Sequence, residues 1–134
     1  SLPDMALGPA NATVTVTEYA SMTCPHCAAF TEKVFPKIKS EFIDSGKIRF
    51  VFREFPLDIK AAAGSMLARC IAKDDAPKFF AVIDLLFKQR NDWVTKNTTE
   101  TKTGSTISGG TRIRTVLPEN TGSRDTIRKA IKSV

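Results

Sequence analysis

Ser21-Met22-Thr23-Cys24-Pro25-His26-Cys27 stands between a run of strand character and a run of helix character. A Cys-x-x-Cys at such a junction puts one thiol at the first exposed turn of a helix and the other one turn inward, which is the geometry of a reversible disulfide. The unpaired N–H groups and partial positive charge of the helix start favour a thiolate on Cys24, and His26 adds to this whenever its imidazole is protonated. Cys24 is therefore the expected nucleophile. Thiols in such settings fall from about 8.5 to roughly 3.5–7.5, each unit favouring the thiolate by about 1.36 kcal/mol. A thiolate of low pKa leaves readily, so a Cys24–Cys27 disulfide should be passed on to another protein, with oxidation expected over reduction.

The same residues admit other readings. Half of a closed zinc site would need four Cys or His ligands, and the chain has three Cys and one His in all. A structural disulfide and a chance spacing are the remaining alternatives; the strand before, the helix after and Pro25-His26 between the cysteines weigh against chance. No metal and no cofactor is expected.

With 134 residues the chain is expected to form one domain, large enough to build a core without disulfide staples. Its formal charge of +6 is unevenly placed: residues 1–87 hold ten Lys/Arg against ten Asp/Glu, and residues 88–134 hold ten against four. A basic last third can signal nucleic acid or anionic lipid, but it lacks interleaved aromatics and a docking motif, so a solvated surface is expected and no nucleic acid. There is no run of about 18 apolar residues, so no membrane-spanning segment is expected, and no signal peptide is recognised; the chain is compatible with a mature form from which one was removed.

Outward from the motif, Val14, Val16 and Glu18 share one parity of a strand over Thr13–Tyr19, preceded by an extended arm or loop over residues 1–12. Glu18 thus lies on the valine face, either reaching water at the strand end or buried with a raised pKa, where it could take the proton that Cys27 must lose. Beyond the motif, Cys27, Phe30, Val34 and Ile38 form a helical stripe, Pro36 predicts a kink, and the helix should end near Gly46. Lys47–Phe55 alternates as a second strand, stopped by Pro56, and the long crossover makes the two strands parallel neighbours. Two helices follow. Asp58 caps the first, with an expected apolar face of Ala62, Met66, Leu67, Cys70 and Ile71, so that Cys70 reads as a buried, inert thiol; Pro77 opens the second, with Phe79, Phe80, Ile83, Leu86 and Phe87 inward. Residues 95–126 carry ten Thr and few large aliphatics, so a loop or disorder is expected over 95–110, a short strand over Thr111–Leu117, and a final helix capped by Ser123 with Ile127, Ala130, Ile131 and Val134 as its stripe.

Residues 11–93 resemble the DsbA family of bacterial thiol–disulfide oxidoreductases, built on the thioredoxin fold. The resemblance rests on Glu18-Tyr-Ala-Ser-Met-Thr-Cys-Pro-His-Cys27 with Phe30 beyond it, and on Phe52-Arg-Glu-Phe-Pro-Leu57. It implies an α/β thioredoxin-like fold with an inserted helical segment at about 57–94 and a shortened or atypical polar part at about 95–122. It also implies that Cys24 attacks, Cys27 resolves, the Pro25-His26 dipeptide lies between them with His26 stabilising the Cys24 thiolate, and Glu18 is a buried carboxylate near Cys27. The most acidic thiols of this kind belong to the same family, so the pKa argument and the resemblance are not independent. The implied activity is donation of the disulfide to reduced secreted or periplasmic proteins outside the cytoplasm, with reoxidation by a membrane quinone-linked partner; the alternatives are a disulfide isomerase or a thioredoxin-like binding or chaperone module. The last third departs from the family pattern. Pro118, in Val116-Leu-Pro-Glu-Asn-Thr-Gly122, is followed by polar residues where the family's cis-proline loop runs into an apolar strand.

Overall fold

The computed structural model describes residues 2–94. In chain order they form β1 (Met5–Leu7), β2 (Val14–Ala20), α1 (Pro25–Lys33), α2 (Phe35–Ile38) with one wider π-type turn over Lys39–Ile43, β3 (Ile48–Glu54), α3 (Ile59–Ala72), α4 (Ala76–Lys88) and α5 (Arg90–Trp93). The strands join in the order β1-β3-β2. β2 and β3 run parallel, with Val16 opposite Phe50 and Glu18 opposite Phe52, as the long crossover through α1 and α2 requires. β1 pairs antiparallel with the other edge of β3. The sequence reading placed only an extended arm there; a strand of three residues is too short to show a period, and β3 supplies its hydrogen-bonding partner.

Pro36 breaks the crossover helix where expected. Its ring nitrogen cannot donate to the carbonyl of Glu32, so α1 ends at Lys33 and the chain restarts one residue later. The break also rotates the stripe. Val34, expected inward, is 44% exposed, and Phe35 takes its place, its ring 5.1 Å from Phe50 and 6.0 Å from Phe80. After the wide turn, Gly46 at φ +80° ends the helix: its N–H donates to Ile43 and the N–H of Lys47 to Phe42, a pairing that needs a left-handed residue at this point.

The core forms where β3 meets α4. Phe50 and Phe52 are fully buried, and their rings pack at 5.7–6.2 Å, edge to face, on Phe79 and Phe80. All five apolar residues expected on the inner face of α4 are buried. At the end of β3, Arg69 grips both carboxylate oxygens of Glu54 at 2.7 Å in a largely buried fork and covers the ring of Phe79, tying α3 to the sheet.

α3 departs from the expected pattern. Asp58 caps it as read, accepting from the N–H of Ala61 at 2.8 Å. However, the face it buries is Ala61, Gly64, Ser65, Ala68 and Ala72, while Met66 is 68% exposed and Cys70 is exposed. Side-chain size explains the difference. A Cβ on Gly64 would lie 3.3 Å from the indole of Trp93 and 3.5 Å from Met22, so this helix packs closely through its small residues, while Met66 turns outward and Ile71 packs only partly against the core. The readings made for residues 95–134, including the Thr111–Leu117 strand, the Ser123-capped helix and Pro118, lie outside the described residues.

Two substitutions separate these faces. Phe50→Ala should lower unfolding free energy by about 3–5 kcal/mol, whereas Cys70→Ser, on the exposed side of α3, should stay within about 0.5 kcal/mol of the parent. Urea unfolding midpoints check both, and a large loss in Cys70→Ser would place that thiol inside the core after all.

Candidate functional site

β2 delivers the chain to the sheet's end at Ala20, and Ser21-Met22-Thr23 turns it into α1. The turn is closed by the N–H of Cys24 on the carbonyl of Ser21 at 3.1 Å. All three turn residues are buried, Met22 completely. Cys24 is the residue before the helix, with extended backbone (φ −75°, ψ 121°), and Pro25 occupies the first helical position, where its missing N–H would have had no helical partner in any case. The N–H groups of the first turn therefore face the Cys24 sulfur.

The two thiols are not bonded to one another, and their surroundings push them in opposite directions. The Cys24 thiol is held below the ordinary thiol range, first by the backbone N–H of Cys27, then by the thiol of Cys27, the backbone N–H of His26 and the positive charge of Arg90; partial burial opposes them. Cys27 is pushed above it, chiefly by burial, and further by donating to Cys24 and by the negative charges of Cys24 and Glu18. The opposed shifts set the order of ionisation: Cys24 gives up its proton before Cys27. His26 is exposed on the outer side of the turn, and Pro25 beside it is exposed as well.

Glu18 is brought to the same end of the sheet. It sits on the face of Phe52, half-buried, and lines a cavity of about 660 Å³ with Leu7, Phe35, Pro36, Ile43 and Phe80. Burial raises its carboxyl from 4.5 to about 7, so near neutral pH it both holds and releases a proton. Cys24, Cys27, His26, Pro25 and Glu18 are therefore grouped at one end of the fold, and Cys70 lies apart from them on the outer face of α3.

Four further side chains hold the site, those of Ser21, Thr23, Asp58 and Arg90, none of them marked by the sequence for that role. The Thr23 hydroxyl donates to Asp58 at 2.8 Å, so its oxygen is left to accept from Ser21 at 3.2 Å, and the Ser21 oxygen in turn accepts the N–H of Leu57. Arg90 donates through Nε to the Thr23 carbonyl at 2.6 Å. Asp58 was legible as a helix cap and Thr23 as a neighbour of the motif. Arg90 lies 67 residues from its partner, and no local pattern could have paired them.

The family model described as thioredoxin matches residues 1–132 of this chain. A Rickettsia bellii protein, whose name marks it provisionally as a protein-disulfide oxidoreductase, is 40% identical over 94 residues, covering 70% of this chain and 36% of that one. Disulfide bond formation protein D of Bacillus subtilis is 35% identical over 94 residues, covering 66% and 42%. Among solved structures, alpha-DsbA1 of Wolbachia pipientis superposes with a TM-score of 0.64 at 28% identity, over 99% of this chain and 67% of its own. The chain spans about a third to two fifths of the length of these curated relatives.

The raised carboxyl has a consequence for stability. Below pH 4.5 Glu18 is protonated in both states. As pH rises toward about 7 the unfolded chain ionises while the folded one resists, so this group contributes a falling stability that levels off above about 7. Glu18→Gln should remove that slope and leave the variant the more stable protein at pH 8, measured by urea unfolding from pH 4 to 8; parallel curves for the two proteins would show the carboxyl to be solvated.

Proposed function

We propose a function from one premise: the chain belongs to the DsbA-like disulfide oxidoreductases of the thioredoxin family. It oxidises protein dithiols by donating the Cys24–Cys27 disulfide, and the observation that carries this reading is the opposed shift of the two thiols, Cys24 down and Cys27 up.

The chemistry follows from that asymmetry. A substrate thiolate attacks the Cys24 sulfur of the oxidised pair; the Cys24–Cys27 bond breaks, and its electron pair leaves on Cys27. Glu18, whose charge already acts on Cys27, supplies the proton that converts this leaving group to a thiol, and in the reverse direction takes it back. A second substrate thiolate then attacks the substrate sulfur of the mixed disulfide, and the electron pair leaves on Cys24 as a stabilised thiolate. Two substrate thiols become one disulfide while the protein disulfide becomes a thiolate and a thiol. The helix start makes the second step favourable, because the departing charge lands where N–H groups await it. His26 contributes its backbone N–H in the structure; we propose that its imidazole adds to thiolate stability when protonated.

The same premise supports the wider reading. The chain acts as one thioredoxin-like domain over residues 1–134, with its helical insertion at about 57–94. Its substrates are reduced secreted or periplasmic proteins, it works outside the cytoplasm, and a membrane quinone-linked protein reoxidises it. No helix among the described residues is long and apolar enough to cross a membrane.

The test is oxidation of a reduced dithiol peptide by the preoxidised protein, followed together with thiolate absorbance. Cys24 should titrate below the roughly 8.5 of a free thiol and Cys27 above it; Cys24→Ser should abolish turnover. His26→Ala should raise the Cys24 midpoint and make the disulfide less oxidising. Glu18→Gln should slow by about 100-fold, the lower end of the range for a general acid–base group, both the initial attack, in which Cys27 leaves, and the reverse step, in which Cys27 attacks the mixed disulfide, while leaving the release of Cys24 by the second substrate thiolate unchanged. A Cys24 that titrates as a free thiol, or a reduced peptide left unoxidised, would support the binding-module alternative instead.

A further inference from the structure

We propose that Arg90 is a positioning residue for the catalytic turn, fixing the Thr23 carbonyl beside Cys24 and presenting a positive charge to the thiolate, so that the helical insertion sets the oxidising strength of the pair. The inference rests on the reading of Cys24 as the attacking thiol.

Geometry carries it. Thr23 is held at two points by residues at opposite ends of the α3–α4 hairpin: its hydroxyl by Asp58, which caps the start of α3, and its carbonyl by Arg90, which follows α4. The Asp58 carboxylate is fully committed, one oxygen to Thr23 and the other to the N–H of Ala61. The Arg90 fork is divided similarly, Nε donating to Thr23 at 2.6 Å and Nη1 to Asn91 at 3.2 Å. Thr23 immediately precedes the attacking cysteine, so displacing its carbonyl rotates the peptide that presents Cys24 to the first turn of α1.

The charge acts from a sheltered place. Arg90 is half-buried along a cleft of about 530 Å³ between α1 and the α4–α5 corner, lined also by Pro25, Glu32, Lys33 and Lys88. A guanidinium so placed is screened less than one in open solvent. Of the other charged and titratable groups nearby, Cys27 donates to the thiol, Glu18 acts on Cys27, His26 is exposed, Asp58 is spent on Thr23 and Ala61, Lys88 pairs with Asp84, and Glu32 and Lys33 line the cleft without being among the groups that shift Cys24. Of the cations in this set, Arg90 is the one that both contacts the turn and favours the Cys24 thiolate. Arg is suited to the task because it stays charged at every relevant pH and its planar fork donates in fixed directions.

The test compares the full-length protein with Arg90→Met and Arg90→Lys, by thiolate absorbance against pH and by equilibrium with glutathione, in which the protein disulfide and two glutathione thiols exchange for the protein dithiol and one glutathione disulfide. Arg90→Met should raise the Cys24 midpoint and shift the equilibrium about 3- to 10-fold toward the protein disulfide, since one pKa unit is a factor of ten. Arg90→Lys, which keeps the charge, should recover at least half of that shift. If Arg90→Met does not fold, the unmutated protein still decides: the Arg90 Nε–H resonance should move with the midpoint of Cys24. An Arg90→Met protein that folds and keeps the parent titration and equilibrium, an Arg90→Lys protein no better than Arg90→Met, or an Arg90 resonance indifferent to Cys24 would each overturn the proposal. A parent protein whose Cys24 titrates as a free thiol would overturn the functional reading instead, so the two failures are distinguishable.

Discussion

Met22 enters the core at the point where Gly64 leaves room for it. The residue sits two positions before the attacking cysteine and is fully buried, with Trp93 filling the other side of the same glycine. A Cβ at Gly64 would crowd the indole at 3.3 Å and touch Met22 at 3.5 Å, so the close approach of α3 and the seating of the catalytic turn meet at one packing point. The indole of Trp93 is itself fixed by its N–H on the carbonyl of Leu86, which links the turn through α3 to the end of α4. Apolar packing supplies the bulk of this arrangement, and the bonds to Thr23 give it direction.

The thiol chemistry depends on that seating. A helix start favours negative charge only within its first turn, so the benefit to Cys24 disappears if the cysteine lies a residue too early or is rotated away. Pro25 makes the start abrupt, the buried Ser21-Met22-Thr23 turn fixes the approach, and Cys27 falls one turn inward, where burial penalises its thiolate. The redox asymmetry thus comes from position along one helix more than from different neighbours. Glu18 follows the same logic on the sheet: the parallel register sets it opposite Phe52, and incomplete solvation raises its carboxyl to about 7.

The elements of the fold were largely legible because each carries a strong local signal. The valine and threonine alternation of β2, the phenylalanine alternation of β3, the break at Pro36, the cap at Asp58 and the broad apolar face of α4 all appear in the structure within a residue or two of the reading. The reading failed where size mattered more than hydrophobicity. On α3 the expected apolar face is Ala62, Met66, Leu67, Cys70 and Ile71, whereas the buried face is Ala61, Gly64, Ser65, Ala68 and Ala72, with Ile71 only partly buried against the core. At Val34 the stripe was extended through a break that turned it outward.

What the sequence determined by itself was the local chemistry. Two cysteines at the start of a helix, a proline at its first position and a carboxylate on the valine parity of the preceding strand follow from spacing, since helix and strand periods are short-range geometry. Only the tertiary structure decided how that chemistry is held. Which small residue admits Met22, which carboxylate takes the Thr23 hydroxyl and which guanidinium takes its carbonyl depend on chain segments 35 and 67 residues away. Close packing and directional hydrogen bonds across such separations have no periodic trace in the chain, because they are satisfied by the arrangement of whole elements and not by the residues beside the site.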